Sequence, residues 1–222
     1  MWRAFSQAHA ELATPLLRAD ETQLRRELLF CLLGGYGITF ELSCSALEVL
    51  EEIDIFTDVH DDELLCERLM RLLSEPRFTP PRKDGTLRRY RFPQRKADLI
   101  CRARRWLLDA GSLTAHLAAR ISEHDRRSWL VGCPGLGPKS ASWLLRNTGW
   151  AKDLAILDVH VMRAMTAAGF LVDERRPGCY EQIERQFLVW CEQLDAAPAV
   201  FDLFLWEWQR GTLRPIDVVV AP

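Results

Sequence analysis

The chain has 222 residues, 48% apolar and 27% charged, a makeup that suits one sizeable globular core or two lobes. A net charge of −2 and a pI near 6.2 exclude a globally basic coat for nucleic acid, and no apolar run approaches the roughly 20 residues of a membrane helix. The seven cysteines, at 31, 44, 66, 101, 133, 179 and 191, form no CxxC pair, so zinc and iron–sulfur clusters are unsupported and free, mostly buried thiols are expected.

Apolar spacing predicts a short amphipathic helix over 6–18, broken around Pro15, and a second over 21–33. The second ends at Gly34-Gly35-Tyr36-Gly37, a turn with a permissive backbone and one aromatic. Helices follow over 42–56 and 61–73, the latter opened by Asp61-Asp62-Glu63, whose charges suit a helix N-terminus. Residues 76–91, with two prolines together and Lys83-Asp84-Gly85, read as a mobile loop or short hairpin. Phe92-Pro93 opens a helix to residue 110, with Ala97, Ile100, Ala103 and Leu107 inward and the arginines outward.

Further helices are predicted over 113–121, 125–131, 138–147 and 158–168. Beyond Pro177-Gly178 come two more, over 180–194 and 198–210, and an extended tail over 214–222. Alternation of period two is nearly absent, so the predicted fold class is all-α. Between Arg82 and Arg105 ten Lys/Arg stand against Asp84 and Asp98, a local surplus able to hold phosphate on an acidic protein.

The chemistry concentrates at Pro134-Gly135-Leu136-Gly137-Pro138-Lys139. Pro138 suits the first helical position, while Gly135 and Gly137 allow a tight turn whose amides can face an anion such as a DNA phosphate. Lys139 then sits on the first turn of a helix, and Asp158, after the apolar run Leu154-Ala155-Ile156-Leu157, stands where another helix begins. An amine attacks carbon only when unprotonated, a form favoured by burial and by the positive end of a helix. A carboxylate nearby stabilises the positive charge that builds on a sugar as its glycosidic bond breaks.

With Leu157-Asp158-Val159-His160-Val161, that hairpin resembles the helix-hairpin-helix-GPD superfamily of base-excision DNA glycosylases. The likeness is greater to its type-2 8-oxoguanine DNA glycosylase/AP lyase family. It extends through Arg91-Phe92-Pro93-Gln94-Arg95-Lys96-Ala97, Leu145-Arg146-Asn147-Thr148-Gly149 and Leu203-Phe204-Leu205-Trp206. The resemblance implies two helical lobes with a DNA-facing cleft, the central lobe spanning roughly 30–165 and the second 1–29 with 166–222. It implies base excision followed by strand cleavage, with Lys139 as nucleophile, Asp158 as its acidic partner, and Phe92 and Trp206 as aromatic faces for the extruded base. Gly135, Gly137, Tyr36, Arg91, Arg95 and Arg146 are the expected DNA contacts. The expected partner is double-stranded DNA with a damaged base, bound by a monomer without metal or cofactor. The opening residues carry no signal-peptide apolar region, so a cytoplasmic, nucleoid-associated location is expected, with no membrane contact.

Simpler readings stand beside these. Lys139 can be a phosphate contact in a non-catalytic hairpin module, Asp158 a helix cap, His160 a packed histidine, and Trp206 and Trp208 core residues. Arg146 and Asn147 suit a phosphate or a helix cap equally well. In two places the chain departs from the family pattern. Tyr36 stands where relatives place Asn or Gln to fill the gap left by the base, and no lysine follows Lys152 to help read an oxidised guanine. Excision of another modified base therefore stays open as an alternative.

Overall fold

The computed structural model describes residues 2–10, 17–35, 37–57, 61–171 and 179–211. The expectations for Tyr36 and the tail 214–222 lie outside these residues, as does most of the predicted break around Pro15. Among the described residues the fold is all-α, with helices but no strand; the one ladder contact is an isolated antiparallel bridge between Phe78 and Arg88. None of these helices is long and apolar enough to cross a membrane.

The chain divides into two compact units, one of residues 19–137 and one of 1–18 with 138–222. These borders differ from those near 30 and 165 drawn from sequence. They fall where local chemistry starts a new helix, at Asp20 and at Pro138.

Unit 19–137 holds α2 (Glu21–Leu33), α3 (Phe40–Glu51), α4 (Asp62–Ser74), α5 (Pro93–Ala110), α6 (Leu113–Ala118) and α7 (Glu123–Val131). Its helix starts are capped by short polar side chains that accept otherwise orphaned amides. Asp20 and Ser122 form full capping boxes, while Thr39, Asp61 and Ser112 each accept an amide of the first turn. The start of α6 is also held by Glu21, which accepts from Ser112 Oγ and from the Leu113 and Thr114 amides. Burial alone would raise this carboxyl, but these bonds and Arg25 together hold it down at about 2. Leu24, Leu28, Leu50, Leu69, Leu73, Ile100 and Leu107 fill the core.

Residues 76–91 form a short hairpin rather than a loose loop. Arg82 and Thr86 close its tip, Asp84 accepts from Thr86, and Phe78 and Tyr90 pin its base in the core, ring centroids 5.5 Å apart. One expectation fails here: Cys66 on α4 and Cys101 on α5 are joined in a disulfide, Cα atoms 6.1 Å apart. Nothing in the local spacing of these residues points to a pair, because they meet only through the packing of the two helices.

Unit 1–18 with 138–222 holds α1 (Trp2–Ala8), α8 (Pro138–Asn147), α9 (Val159–Ala167), α10 (Tyr180–Gln193) and α11 (Pro198–Arg210). Its core is aromatic: Phe5, Phe187, Phe201 and Phe204 are buried, with Trp2 packed edge-on to Phe201 and Phe204 at 5.2 and 5.4 Å. Trp206 and Trp208 stay outside this buried set. Trp206 is half-buried and Trp208 is exposed.

Candidate active site

The predicted turn between α7 and α8 is present. Helix α7 ends as Gly132 and Cys133 donate back to Trp129 and Leu130, and Leu136 donates to the Cys133 carbonyl. Cys133 is buried under the turn, and burial pushes its thiol up to about 12. Gly135 has φ of 94°, and a Cβ there would sit 2.8 Å from Leu32 Cδ2, so backbone and packing both require glycine. Gly137 differs from expectation. It has no left-handed φ, and a Cβ there would meet no protein atom within 4 Å.

Pro138 starts α8 and Lys139 follows on its first turn, half-buried. The Lys139 amine makes no hydrogen bond or ion pair among the described residues. Its recorded contact is the Trp143 ring, with Nζ 5.7 Å from the centroid. Asp158 is the N-cap of α9, and its Oδ1 accepts the amides of His160 and Val161 at 2.8 and 2.9 Å. The other carboxylate oxygen takes no hydrogen bond among the described residues. Capping thus orients the group without saturating it. His160, beside it, lies edge-on to Trp206 with ring centroids 6.4 Å apart.

The two aromatic candidates share a feature. Arg91 covers one face of Phe92 at 4.7 Å and Arg210 one face of Trp206 at 4.2 Å. Phe92 is 49% exposed and holds φ 58°, ψ 52° at the start of α5, with no side-chain cap. A bulky residue in this left-handed region carries a strain of about 1–3 kcal/mol, a cost that accumulates at functional positions.

Arg146, expected from sequence as a DNA contact, is engaged within its own unit. Its guanidinium pairs with Asp202 and donates to the Leu154 carbonyl, and the two side chains are only 11% and 7% exposed. Burial pushes the Asp202 carboxyl up, while the arginine draws it back down. Removing either partner would leave an uncompensated buried charge, a loss of about 3–5 kcal/mol.

The basic segment is also less open than its composition implies. Arg104 is buried, donating to the Thr57 carbonyl and pairing with Asp62, which Arg105 also engages; these bonds hold the Asp62 carboxyl below its usual range. Lys96 is buried as well, its ammonium donating to the Leu32 carbonyl at 2.6 Å and to that of Gly34. Burial, then the neighbouring Arg95 charge, lowers Lys96 to about 8. With Tyr90 donating to the Leu33 carbonyl, these bonds satisfy the open end of α2. Sequence reasoning missed both cations, although Lys96, Ile100, Arg104 and Leu107 fall on one helical stripe. Arg91 donates to the Gly37 carbonyl at 3.1 Å from an exposed position, and Arg95 is exposed; both remain free to meet solvent on one side.

Several solved or curated proteins are similar to this chain. A Metallosphaera sedula protein named 8-oxoguanine DNA glycosylase/AP lyase is 29% identical over 201 residues, covering 88% of this chain and 86% of the relative. The crystal structure of the 8-oxoguanine DNA glycosylase of Thermotoga maritima matches with a TM-score of 0.62 and 28% identity, over 95% of this chain and 87% of the other. The Methanocaldococcus jannaschii 8-oxoguanine glycosylase/lyase, in complex with a 15mer DNA containing 8-oxoguanine, matches with a TM-score of 0.65 and 25% identity, over 88% and 85%. Residues 6–196 fit the family described as 8-oxoguanine DNA glycosylase, a span that takes in α2 through α10 and leaves the start of α1 and all of α11, with Trp206, outside. The order of turn, lysine and capping aspartate thus lies wholly inside the matched span, and the chain belongs to the 8-oxoguanine DNA glycosylase family.

Proposed function

We propose that this protein is a bifunctional DNA glycosylase/AP lyase of base-excision repair, excising 8-oxoguanine from double-stranded DNA. The observation that carries the reading is Asp158, whose one oxygen caps α9 while the other stays unengaged among the described residues, in the same compact unit as the unpaired amine of Lys139. A base inside a duplex is out of reach, so the target nucleotide must first be extruded. Phe92 and Trp206 each offer an aromatic face to the extruded base. The unprotonated Lys139 amine attacks C1′ as the bond to the base breaks, and the Asp158 carboxylate stabilises the positive charge developing on the sugar. The base leaves and takes up a proton. The sugar ring opens to a Schiff base on Lys139, loss of the C2′ proton expels the 3′ phosphate, and hydrolysis frees the enzyme.

This scheme requires neither metal nor cofactor, because the lysine supplies the covalent intermediate. The amides around Gly137, where a Cβ would meet open space, suit a backbone phosphate. Arg91 and Arg95 add positive charge, so binding weakens with salt. One chain carries every assigned group, and a monomer at work in the cytoplasm on the nucleoid is the form proposed.

The test is a panel of duplexes, each with one modified base, incubated with the enzyme and borohydride. Rapid excision and a covalent adduct at 8-oxoguanine are expected; tight binding without an adduct on any duplex would favour a non-catalytic module instead. Phe92 yields a second expectation. Phe92→Gly relieves the left-handed strain yet removes a stacking face, and base stacking contributes roughly 1–3 kcal/mol. The melting temperature should hold or rise while single-turnover excision falls about 10- to 100-fold. A variant as fast as the parent would remove Phe92 from the base pocket.

A further inference from the structure

Residues 154–157 lead into Asp158 without regular secondary structure, and no strand lies beside them among the described residues. Leu154, Ala155 and Leu157 are buried, so their backbone groups need partners other than water. Side chains from three helices supply them. Arg146 of α8 donates to the Leu154 carbonyl at 3.3 Å. Glu184 of α10 accepts the Ala155 amide at 3.0 Å, and Asp202 of α11 accepts the Ile156 amide at 3.3 Å. The Tyr180 hydroxyl of α10 donates to the Ala155 carbonyl at 2.8 Å and accepts from the Leu157 amide at 3.4 Å.

Two of these partners are carboxylates at 2% and 6% exposure, and Asp202 is itself paired with Arg146. Buried charges are a costly way to hold a backbone where an apolar helix would pack more cheaply. They make sense where a group must be held to a fraction of an ångström, as a reacting carboxylate must be. The next residue along the held segment is Asp158.

We propose that Arg146, Tyr180, Glu184 and Asp202 are positioning residues for Asp158, a clamp that sets its carboxylate through the backbone of 154–157. This rests on the reading of Asp158 as the group that stabilises the sugar charge. Tyr180, Glu184 and Asp202 are assigned no contact with substrate, and the Arg146 guanidinium is paired with Asp202. Their influence on excision passes through residue 158.

Tyr180→Phe is the informative variant, because it deletes one oxygen and leaves the Arg146–Asp202 pair intact. Single-turnover excision and duplex affinity are measured for the parent, Tyr180→Phe, Asp158→Asn and the double variant. Tyr180→Phe is expected to slow excision at least fivefold with affinity unchanged within twofold. In the Asp158→Asn background the same change should cost less than twofold, since coupled groups are non-additive. An equal loss in both backgrounds, or no loss in the parent, overturns the clamp while leaving the role of Asp158 intact. Parent-like excision by Asp158→Asn overturns the underlying reading, and the clamp with it. If Tyr180→Phe fails to fold, Glu184→Gln, which keeps an acceptor for the Ala155 amide, takes its place under the same criteria.

Discussion

Lys139→Gln abolishes the borohydride adduct and all strand cleavage, with excision at saturating enzyme at least ~10³-fold slower than the parent. The expectation follows from what the amine does and does not touch. It makes no hydrogen bond or ion pair among the described residues, so its removal breaks no structural bond and leaves no buried charge behind. Glutamine reaches nearly as far but cannot form a Schiff base. Duplex affinity at low salt should fall only modestly, because a single lost phosphate contact alters the salt slope by about one at most. The opposite pattern, weakened binding with chemistry intact at saturation, is what a lysine serving only as a phosphate contact would give. Gel trapping and a salt titration on the same preparation separate the two.

Asp158→Asn is the second large effect, and its value lies in what it leaves alone. Asparagine caps a helix about as well as aspartate, so the amides of His160 and Val161 keep their acceptor and the melting temperature should barely move. The negative charge is lost, and withdrawing one preorganised electrostatic partner from a developing charge slows chemistry by about 10²–10³-fold. Asp158→Ala should add a stability loss of ~1 kcal/mol from the missing cap. Excision rates and thermal melts of the two variants therefore diverge: similar slow chemistry, different stability. Undiminished turnover by Asp158→Asn would leave this aspartate a cap and nothing more.

Much of this was legible in the chain. The helices announce themselves by apolar spacing, and Pro138 and Pro198 mark starts at the residue. Asp158 reads as a cap from its position after an apolar run, which is the bond it makes. What escaped depends on partners far along the chain. Arg146 looks like any exposed arginine until Asp202, 56 residues on, is folded against it. Lys96 and Arg104 sit in a run of cations whose composition points outward, and only their helical phase points inward. Arg104 finds Thr57 and Asp62 across 47 and 42 residues. Cys66 and Cys101 meet across 35. Local pattern fixes which face a residue occupies, but not what waits opposite it. Gly137 teaches the reverse, since its type was read as backbone need where the fold imposes none.

Leu32 serves two masters. Its side chain is the floor on which Gly135 closes, and its carbonyl is one of the pair that Lys96 grips beneath Gly34. A bulkier residue at this single site would jam the Gly135 turn, while the carbonyl that Lys96 holds, being backbone, would stay. The gap between them is a property of helix α2, inherited rather than adjusted loop by loop.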